Sequence, residues 1–309
     1  MATAQEPNWS SFDAGFQSIQ GLTLHVVRTG AADSDKIPML CLHGFPDIWS
    51  VWCRVITHLP KDRQYVMPDQ RGYHLSDKPK ELEDYAPEIL LEDIRQLILA
   101  NSPGGKVVLV GHDWGGVLAS WFAAIYPEHV AQLILINAVH PAALQMALMT
   151  DPAQKAASAY MPALTSGAFE AAWLKDPTSN PFKNWYHEAQ ADGRMGPVET
   201  ALYEAAWSDP DRWRAAIDWY RASPFDLAAG PEMPAWINER DWTIKAPTLL
   251  IWGEADTVFT TNTRDSMATY FTQSNVTRLP GIGHNPLRDD PVSVAKAIHI
   301  FLDQGKHHV

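Results

Sequence analysis

The stretch VVLVGHDWGGVLASWFA, Val107–Ala123, constrains this chain more than any other. A run of aliphatic residues stops at Gly111-His112-Asp113-Trp114-Gly115 and resumes in small, helix-compatible residues. A strand that enters a helix through so short a turn needs glycine where backbones pass closely, and it projects the central side chain away from the sheet. That side chain is Asp113. A simpler reading, in which Asp113 only caps the helix beginning at Trp114 or Gly115, competes with this one. The rest of the chain has to decide between them.

Short β-rich runs alternate with helical stretches on both sides of the turn. Phe16–Ile19 and Leu22–Thr29 read as strands about Gln20-Gly21, and Met39–Leu42, Tyr65–Met67, Val107–Val110 and Leu133–Ile136 follow as further strands. Helices are expected near Ile48–Leu59, over Pro87–Ala100 and from Gly115 to Tyr126. Near-continuous apolar strands separated by helices describe a mostly parallel sheet covered on both faces, so the fold class is α/β. After His140-Pro141 the strand signal disappears and Ala-, Met-, Trp- and Tyr-rich helical pieces, broken by Pro and Gly, take over. Strands return at Thr248–Trp252 and Val276–Leu279, with helices near Thr263–Phe271 and Pro291–Leu302. Residues 1–139 and 241–309 therefore read as one core domain, and 140–240 as a helical lid inserted into it.

A chain of 309 residues that is 46% hydrophobic can bury a sizeable core. Its 24 basic and 36 acidic residues give a formal charge of −12, which disfavours nucleic acid and anionic membrane surfaces as partners. The segment MATAQEPNWSSFDAGF has no basic or apolar leader character, and no apolar run reaches the ~18 residues of a membrane span, so a cytoplasmic protein is expected. Cys41 and Cys53 sit within an expected strand and an expected helix and read as buried thiols; neither belongs to a zinc-type spacing. Neither a metal nor an organic cofactor is expected.

Where such a turn carries a nucleophile, the acid and the histidine follow it in chain order. Gly253-Glu254-Ala255-Asp256 comes after one late strand, and Gly281-Ile282-Gly283-His284 after the last. Loops at the C-terminal ends of parallel strands converge on one crevice, so Asp256 is placed to orient His284 while His284 faces Asp113. Glu254 is the competing acid, being nearer the strand end. His43-Gly44-Phe45-Pro46 closes an earlier strand, and the amides of Phe45 and Trp114 are candidates to hold a developing oxyanion. His43 reads as structural, and the Phe45-Pro46 bond as a possible cis peptide.

HGFP, DQRGYHLSDKP, GHDWGG, NAVHP and the final GHNP together resemble the epoxide hydrolases of the α/β-hydrolase superfamily over nearly the whole chain. One departure is His74, where that family's loop commonly carries a small residue or Asn. The resemblance implies a cofactor-independent enzyme for a small-molecule epoxide, with two lid tyrosines serving the oxirane oxygen. DPAQKAASAYM is similar to the stretch carrying the first of these and DWYR to the second, which assigns Tyr160 and Tyr220. Haloalkane dehalogenases share much of the pattern; Trp114 suits them equally, but Phe45 stands where they often use Asn.

The choice of aspartate follows from the electrophile. An epoxide or alkyl halide offers a saturated carbon, whose displacement needs a nucleophile already ionised at neutral pH, and a carboxylate is one. The resulting ester on Asp113 is then open to water activated by His284, with the Phe45 and Trp114 amides at the oxyanion. Ring opening also makes an alkoxide, which needs a proton donor, and phenols suit that. Met146, Met149 and Met161, with Phe169, read as an apolar pocket wall beside Trp114 and Phe45 or equally as ordinary lid core; lid tryptophans Trp173, Trp185 and Trp207 likewise fit either a pocket or ordinary core. A non-catalytic ligand receptor on the same fold is the alternative of a different kind.

Overall fold

A computed structural model describes residues 6–176, 183–208, 210–230 and 232–304, apart from the side chains of 173, 174, 183–185 and 210. The side chains of Trp173 and Trp185 thus lie outside the described residues.

Eight strands form one sheet: β1 (Asp13–Ile19), β2 (Leu22–Gly30), β3 (Met39–Leu42), β4 (Gln64–Pro68), β5 (Val107–His112), β6 (Val130–Ile136), β7 (Thr248–Gly253) and β8 (Ser274–Leu279). Their spatial order is β1-β2-β4-β3-β5-β6-β7-β8. The first two pairings are antiparallel and the rest parallel, so the sheet is mostly parallel as its apolar strands suggested.

Alternation along the central strands supplies both faces of the core. Leu109, Leu133, Leu135, Leu250 and Trp252 pack on one side, with α2 (after α1, Cys53–Thr57; α2 is Pro87–Asn101) and α3 (Trp114–Ile125). Val108, Val110, Ile134, Ile136, Leu249 and Ile251 pack on the other, against α1 and the C-terminal helix. A period of two in a doubly covered sheet calls for apolar residues on both faces; β5 and β7 are buried throughout, and β6 is buried except at Ala131 and Gln132.

The segment between β6 and β7 is helical among its described residues. It comprises α4 (Pro141–Thr150), α5 (Pro152–Ala157), α6 (Tyr160–Thr165), α7 (Ala168–Lys175), α8 (Lys183–Ala191), α9 (Pro197–Ala206), α10 (Pro210–Ala222) and α11 (Ala235–Asn238). Proline at the first turn of α4, α5 and α9 costs no hydrogen bond there, which is why these Pro-punctuated runs restart as helices rather than dissolve. This helical segment closes at a neck. His140 accepts the Ala142 N–H at Nδ1, which leaves its Nε2–H to donate to the Trp242 carbonyl at 3.2 Å, and burial lowers its pKa to about 3, so it stays neutral. After β7 come α12 (Thr261–Ser266), α13 (Pro286–Asp289) and α14 (Pro291–Gln304).

Two expected helices are less regular than the sequence suggests. The stretch expected as a helix over Ile48–Leu59 begins as a 3₁₀ turn at Trp49–Trp52 before α1, with the Trp49 N–H taken by Asp69 Oδ1 at 3.0 Å rather than by the helix. Thr263–Phe271 likewise divides into α12 and a 3₁₀ turn, Met267–Tyr270.

Candidate active site

The strand order reverses at β3. The chain leaves β3 for β4 on one side and returns to β5 on the other, and the parallel register pairs Leu42 with Gly111 and Ile136 with Ile251, so these strands end along one edge. Side chains following strands at such a switch point share a crevice. Phe45 follows β3, Asp113 follows β5, Asn137 follows β6, Asp256 follows β7 and His284 follows β8.

Asp113 has φ +50°, a conformation that costs a non-glycine residue about 1–3 kcal/mol. The flanking glycines make the turn possible. A Cβ at Gly111 would lie 2.4 Å from the Gly115 carbonyl oxygen, and one at Gly115 would lie 2.2 Å from that of Leu42. Helix capping does not describe this residue, since its side chain makes no cap hydrogen bond to α3. Instead the Phe45 N–H donates to Asp113 Oδ1 at 2.8 Å, across the cis Phe45-Pro46 segment. Among the described residues the Trp114 amide donates no bond to that carboxylate.

His284 joins two acids. Its Nδ1 lies 2.9 Å from Asp256 Oδ2 and its Nε2 lies 3.3 Å from Asp113 Oδ2. Burial alone would lower the His284 pKa; the Asp256 charge, with the hydrogen bonds and charge of Asp113, outweighs it and pushes the value up to about 10. Glu254 does not compete for this histidine, because it pairs with Arg264 at 3.3 Å and Arg278 at 3.6 Å. Asp256 is held from all sides: its Oδ2 also accepts the Asn137 side-chain amide at 2.7 Å, and its Oδ1 accepts the amides of Val258 and Phe259 at 2.7 and 3.2 Å. Burial would raise its pKa, but the His284 charge and these bonds bring it below the usual carboxylate range. His112 points its Nε2 at the His284 carbonyl, 2.8 Å away, and burial keeps it neutral. His43 accepts the Gln70 N–H at Nε2 and so takes no part in the constellation.

Two cavities meet at Asp113. A wide one of about 700 Å³ is bordered by Phe45, Leu164, Phe169, Val258 and His284, and a narrow one of about 20 Å³ by Trp114, Leu144, Met161, Phe225 and Phe259. Tyr160 and Tyr220 border both, with ring centroids 6.2 Å apart in an edge-to-face arrangement. Tyr160 is 40% exposed and Tyr220 is buried. Burial first, then nearby negative charge including that of Asp113, raises the pKa of both phenols, so both remain protonated donors at neutral pH. The methionine expectation needs correction. Met161 lines the narrow cavity, but Met146 is 39% exposed and lines a separate cleft with Thr150 and Asp151, while half-buried Met149 borders neither cavity. In α4 the inward stripe is set by Leu144 and Leu148, which turns Met146 outward. Trp207 is buried, its indole N–H bonded to the Pro46 carbonyl at 3.0 Å, and serves packing.

A family profile described as the alpha/beta hydrolase fold matches residues 37–291. The human protein named Epoxide hydrolase 4 is 31% identical over 298 residues, covering 92% of this chain and 76% of that protein. The chain belongs to the epoxide hydrolases of the α/β-hydrolase fold. Epoxide hydrolase 1 of Caenorhabditis elegans is 29% identical over 97% of this chain and 73% of its own length. The crystal structure of a Bacillus megaterium epoxide hydrolase in complex with an inhibitor superimposes with a TM-score of 0.82 at 30% identity, covering 94% of this chain and all of the other. The protein is thus a hydrolase acting on a small molecule. No helix among the described residues is long and apolar enough to cross a membrane.

Several residues that bind this epoxide hydrolase's site together carry no sequence signal of their own. Gln154, on α5, has all four hydrogen-bonding positions of its amide filled: Nε2 donates to Ser158 Oγ (3.0 Å) and the Val258 carbonyl (2.9 Å), and Oε1 accepts from Thr260 N and Thr263 Oγ1 (both 2.9 Å). It therefore ties the start of the Tyr160 helix to the loop that presents Asp256. Asp47, buried after the HGFP turn, gathers Tyr203 of α9 (2.6 Å), Asn285 (2.8 Å) and Arg288 (3.0 Å), linking α9 to the residue next to His284. Such contacts join positions far apart in the chain, and no local spacing encodes them.

His74 has φ +42° and packs in a buried trio with His25 and Asp69 whose potential metal-ligand atoms lie within 4.8 Å of one another. The Nδ1 atoms of His25 and His74 stand 2.7 and 2.8 Å from the same oxygen, Asp69 Oδ2, and Asp69 Oδ1 accepts the Trp49 amide. Both distances are those of hydrogen bonds, in which the one carboxylate oxygen accepts from each ring N–H.

Proposed function

We propose that this epoxide hydrolase works in two covalent steps on Asp113, with residues 140–240 acting as a lid over a core formed by 1–139 and 241–309. Asp113 Oδ2 attacks a carbon of the oxirane; the C–O bond breaks, and Tyr160 or Tyr220 gives its proton to the departing alkoxide oxygen. Oδ1 stays on the Phe45 amide. The enzyme now carries a neutral alkyl ester, so His284 loses one of the two negative charges that hold its proton. It passes that proton to the phenolate and becomes a neutral base. His284 then takes a proton from water as the oxygen adds to the Asp113 carbonyl carbon, and the oxyanion on Oδ1 rests on the Phe45 amide, with Trp114 as second donor. Collapse breaks the Asp113 Cγ–Oδ2 bond, so Oδ2 leaves with the substrate carbon; His284 protonates that oxygen, and the acid proton on Asp113 returns to His284. The sum is epoxide plus water to vicinal diol.

The reading is supported above all by one observation. A carboxylate in a strained turn has one oxygen on a backbone amide and the other 3.3 Å from a histidine that a second acid orients, while two phenols border the same cavity. The phenols favour an epoxide over an alkyl halide, because halide leaves without needing a proton. The apolar lining supports an apolar or aryl-substituted epoxide. A neighbour that is 29% identical with a TM-score of 0.80, a Phe-to-Ala mutant of the Bacillus megaterium enzyme, is described as complexed with its product (R)-3-[1]naphthyloxy-propane-1,2-diol, which supports room for such a substituent in this fold.

A single turnover in heavy-oxygen water tests the scheme. The label is expected in the Asp113 peptide and not in the diol, and the His284→Gln variant is expected to accumulate the alkyl adduct seen by intact-protein mass spectrometry. Label found directly in the diol would mean that water attacks the epoxide itself.

A further inference from the structure

Among the described residues, Asp113, Tyr160 and Tyr220 are the three that border both cavities. These are also the groups assigned above to hold the oxirane carbon and oxygen, so the inference below rests on that reading. An oxirane bound to all three lies in the passage between the cavities, and a trans-substituted ring directs its two substituents to opposite sides. One arm enters a space of about 700 Å³. The other enters a space of about 20 Å³, which is little more than the room one water-sized group needs.

We propose that the narrow cavity is a size filter that makes this enzyme selective for epoxides with one bulky apolar arm, the second carbon bearing only hydrogen or methyl. The filter is built from Leu144, Met161, Phe225 and Phe259, which line the narrow cavity and not the wide one. Its walls are firm. Phe225 packs on Trp114 (centroids 5.8 Å apart), Trp121 (6.5 Å) and Trp236 (6.1 Å), and Leu144 is buried in α4. Phe259 is fixed through its backbone to Asp256 and stands edge-on to His284 at 5.6 Å. Met161 is the exception, an unbranched side chain at the start of α6 that can change rotamer, and it is the position where the limit is most easily relaxed. The wide cavity imposes no comparable limit. It is bordered by Ala163, Leu164, Ala168 and Phe169 and is large enough for a fused aromatic arm.

The test is a substrate series on the unaltered protein in which only the second substituent grows: styrene oxide, trans-β-methylstyrene oxide, a trans-β-propyl analogue and trans-stilbene oxide. The kcat/KM is expected to stay within about 10-fold from hydrogen to methyl and then to fall by roughly 100-fold or more by phenyl, since each methylene that a rigid apolar pocket refuses costs about 10–200-fold. The Met161→Ala and Leu144→Ala variants are each expected to raise the trans-stilbene oxide to styrene oxide ratio by roughly 10-fold. Turnover of trans-stilbene oxide within about 10-fold of styrene oxide by the unaltered protein would overturn the filter while leaving the epoxide reading intact. Absence of diol from every member of the series would overturn that reading, and the filter with it.

Discussion

Replacing Asp113 by Asn removes one charge from the proposed catalytic centre while nearly preserving its shape, and His284 should report the loss. The Asp113 carboxylate lies 3.3 Å from His284 Nε2 in a site where the histidine side chain is 21% exposed. At an effective dielectric of about 20 a unit charge at that separation contributes about 5 kcal/mol to holding the imidazolium. At about 1.4 kcal/mol per pKa unit, the His284 pKa should fall from about 10 to roughly 6–7 in Asp113→Asn. The measurement is a pH titration of the His284 ring nitrogens by ¹⁵N NMR in ¹⁵N-histidine-labelled protein, run on both forms from about pH 5 to 11. The same change in charge accompanies formation of the alkyl ester, so the result bears directly on how a protonated histidine becomes a base. A pKa that stays above about 9 in the variant would show that Asp256 alone holds the proton, and alkylation would then not release His284 for water activation.

Tyr160→Phe and Tyr220→Phe should each slow ring opening, and the double variant should slow it by about 10²–10⁴-fold, measured as adduct formation by rapid-quench mass spectrometry; an unchanged rate would remove the phenols from the mechanism. Gln154→Leu strands the Val258 carbonyl and the Thr260 N–H, at about 1–3 kcal/mol each, so thermal or urea unfolding should show a loss of roughly 2–6 kcal/mol; a loss under about 1 kcal/mol would contradict the burial argument. Folding raises the His284 pKa from 6.5 to about 10, so its contribution to stability is fully present below pH 6.5 and is lost as pH rises through 10. The melting temperature should therefore decline over that window, and His284→Gln should flatten the decline; equal slopes in both proteins would refute this linkage.

The sequence already carries the parts of this protein that depend on neighbours along the chain. Near-continuous apolar runs separated by helical stretches state the parallel sheet, and GHDWGG states the strand-to-helix turn because only glycine tolerates the 2.2–2.4 Å approaches at Gly111 and Gly115. Chain order after the strands brings out His284, since loops at the same sheet edge must converge. The sequence favours Asp256 while leaving Glu254 as a competitor, and it is the placement of Arg264 and Arg278 that draws Glu254 away.

What the tertiary structure alone decides is where distant surfaces meet. Met146 and Met161 look equivalent in an alanine- and methionine-rich stretch, yet one faces solvent and the other closes the narrow cavity, because the rotation of a helix is fixed by what it packs against. The same holds for Gln154 on the Asp256 loop and for Asp47 between Tyr203 and Arg288. Local rules act over a few residues through backbone sterics and hydrogen-bond geometry, and they write the strands, the turn and the order of the residues proposed for catalysis. Cavity shape and buried polar partnerships come from segments a hundred or more residues apart, and they exist only once the chain has closed on itself.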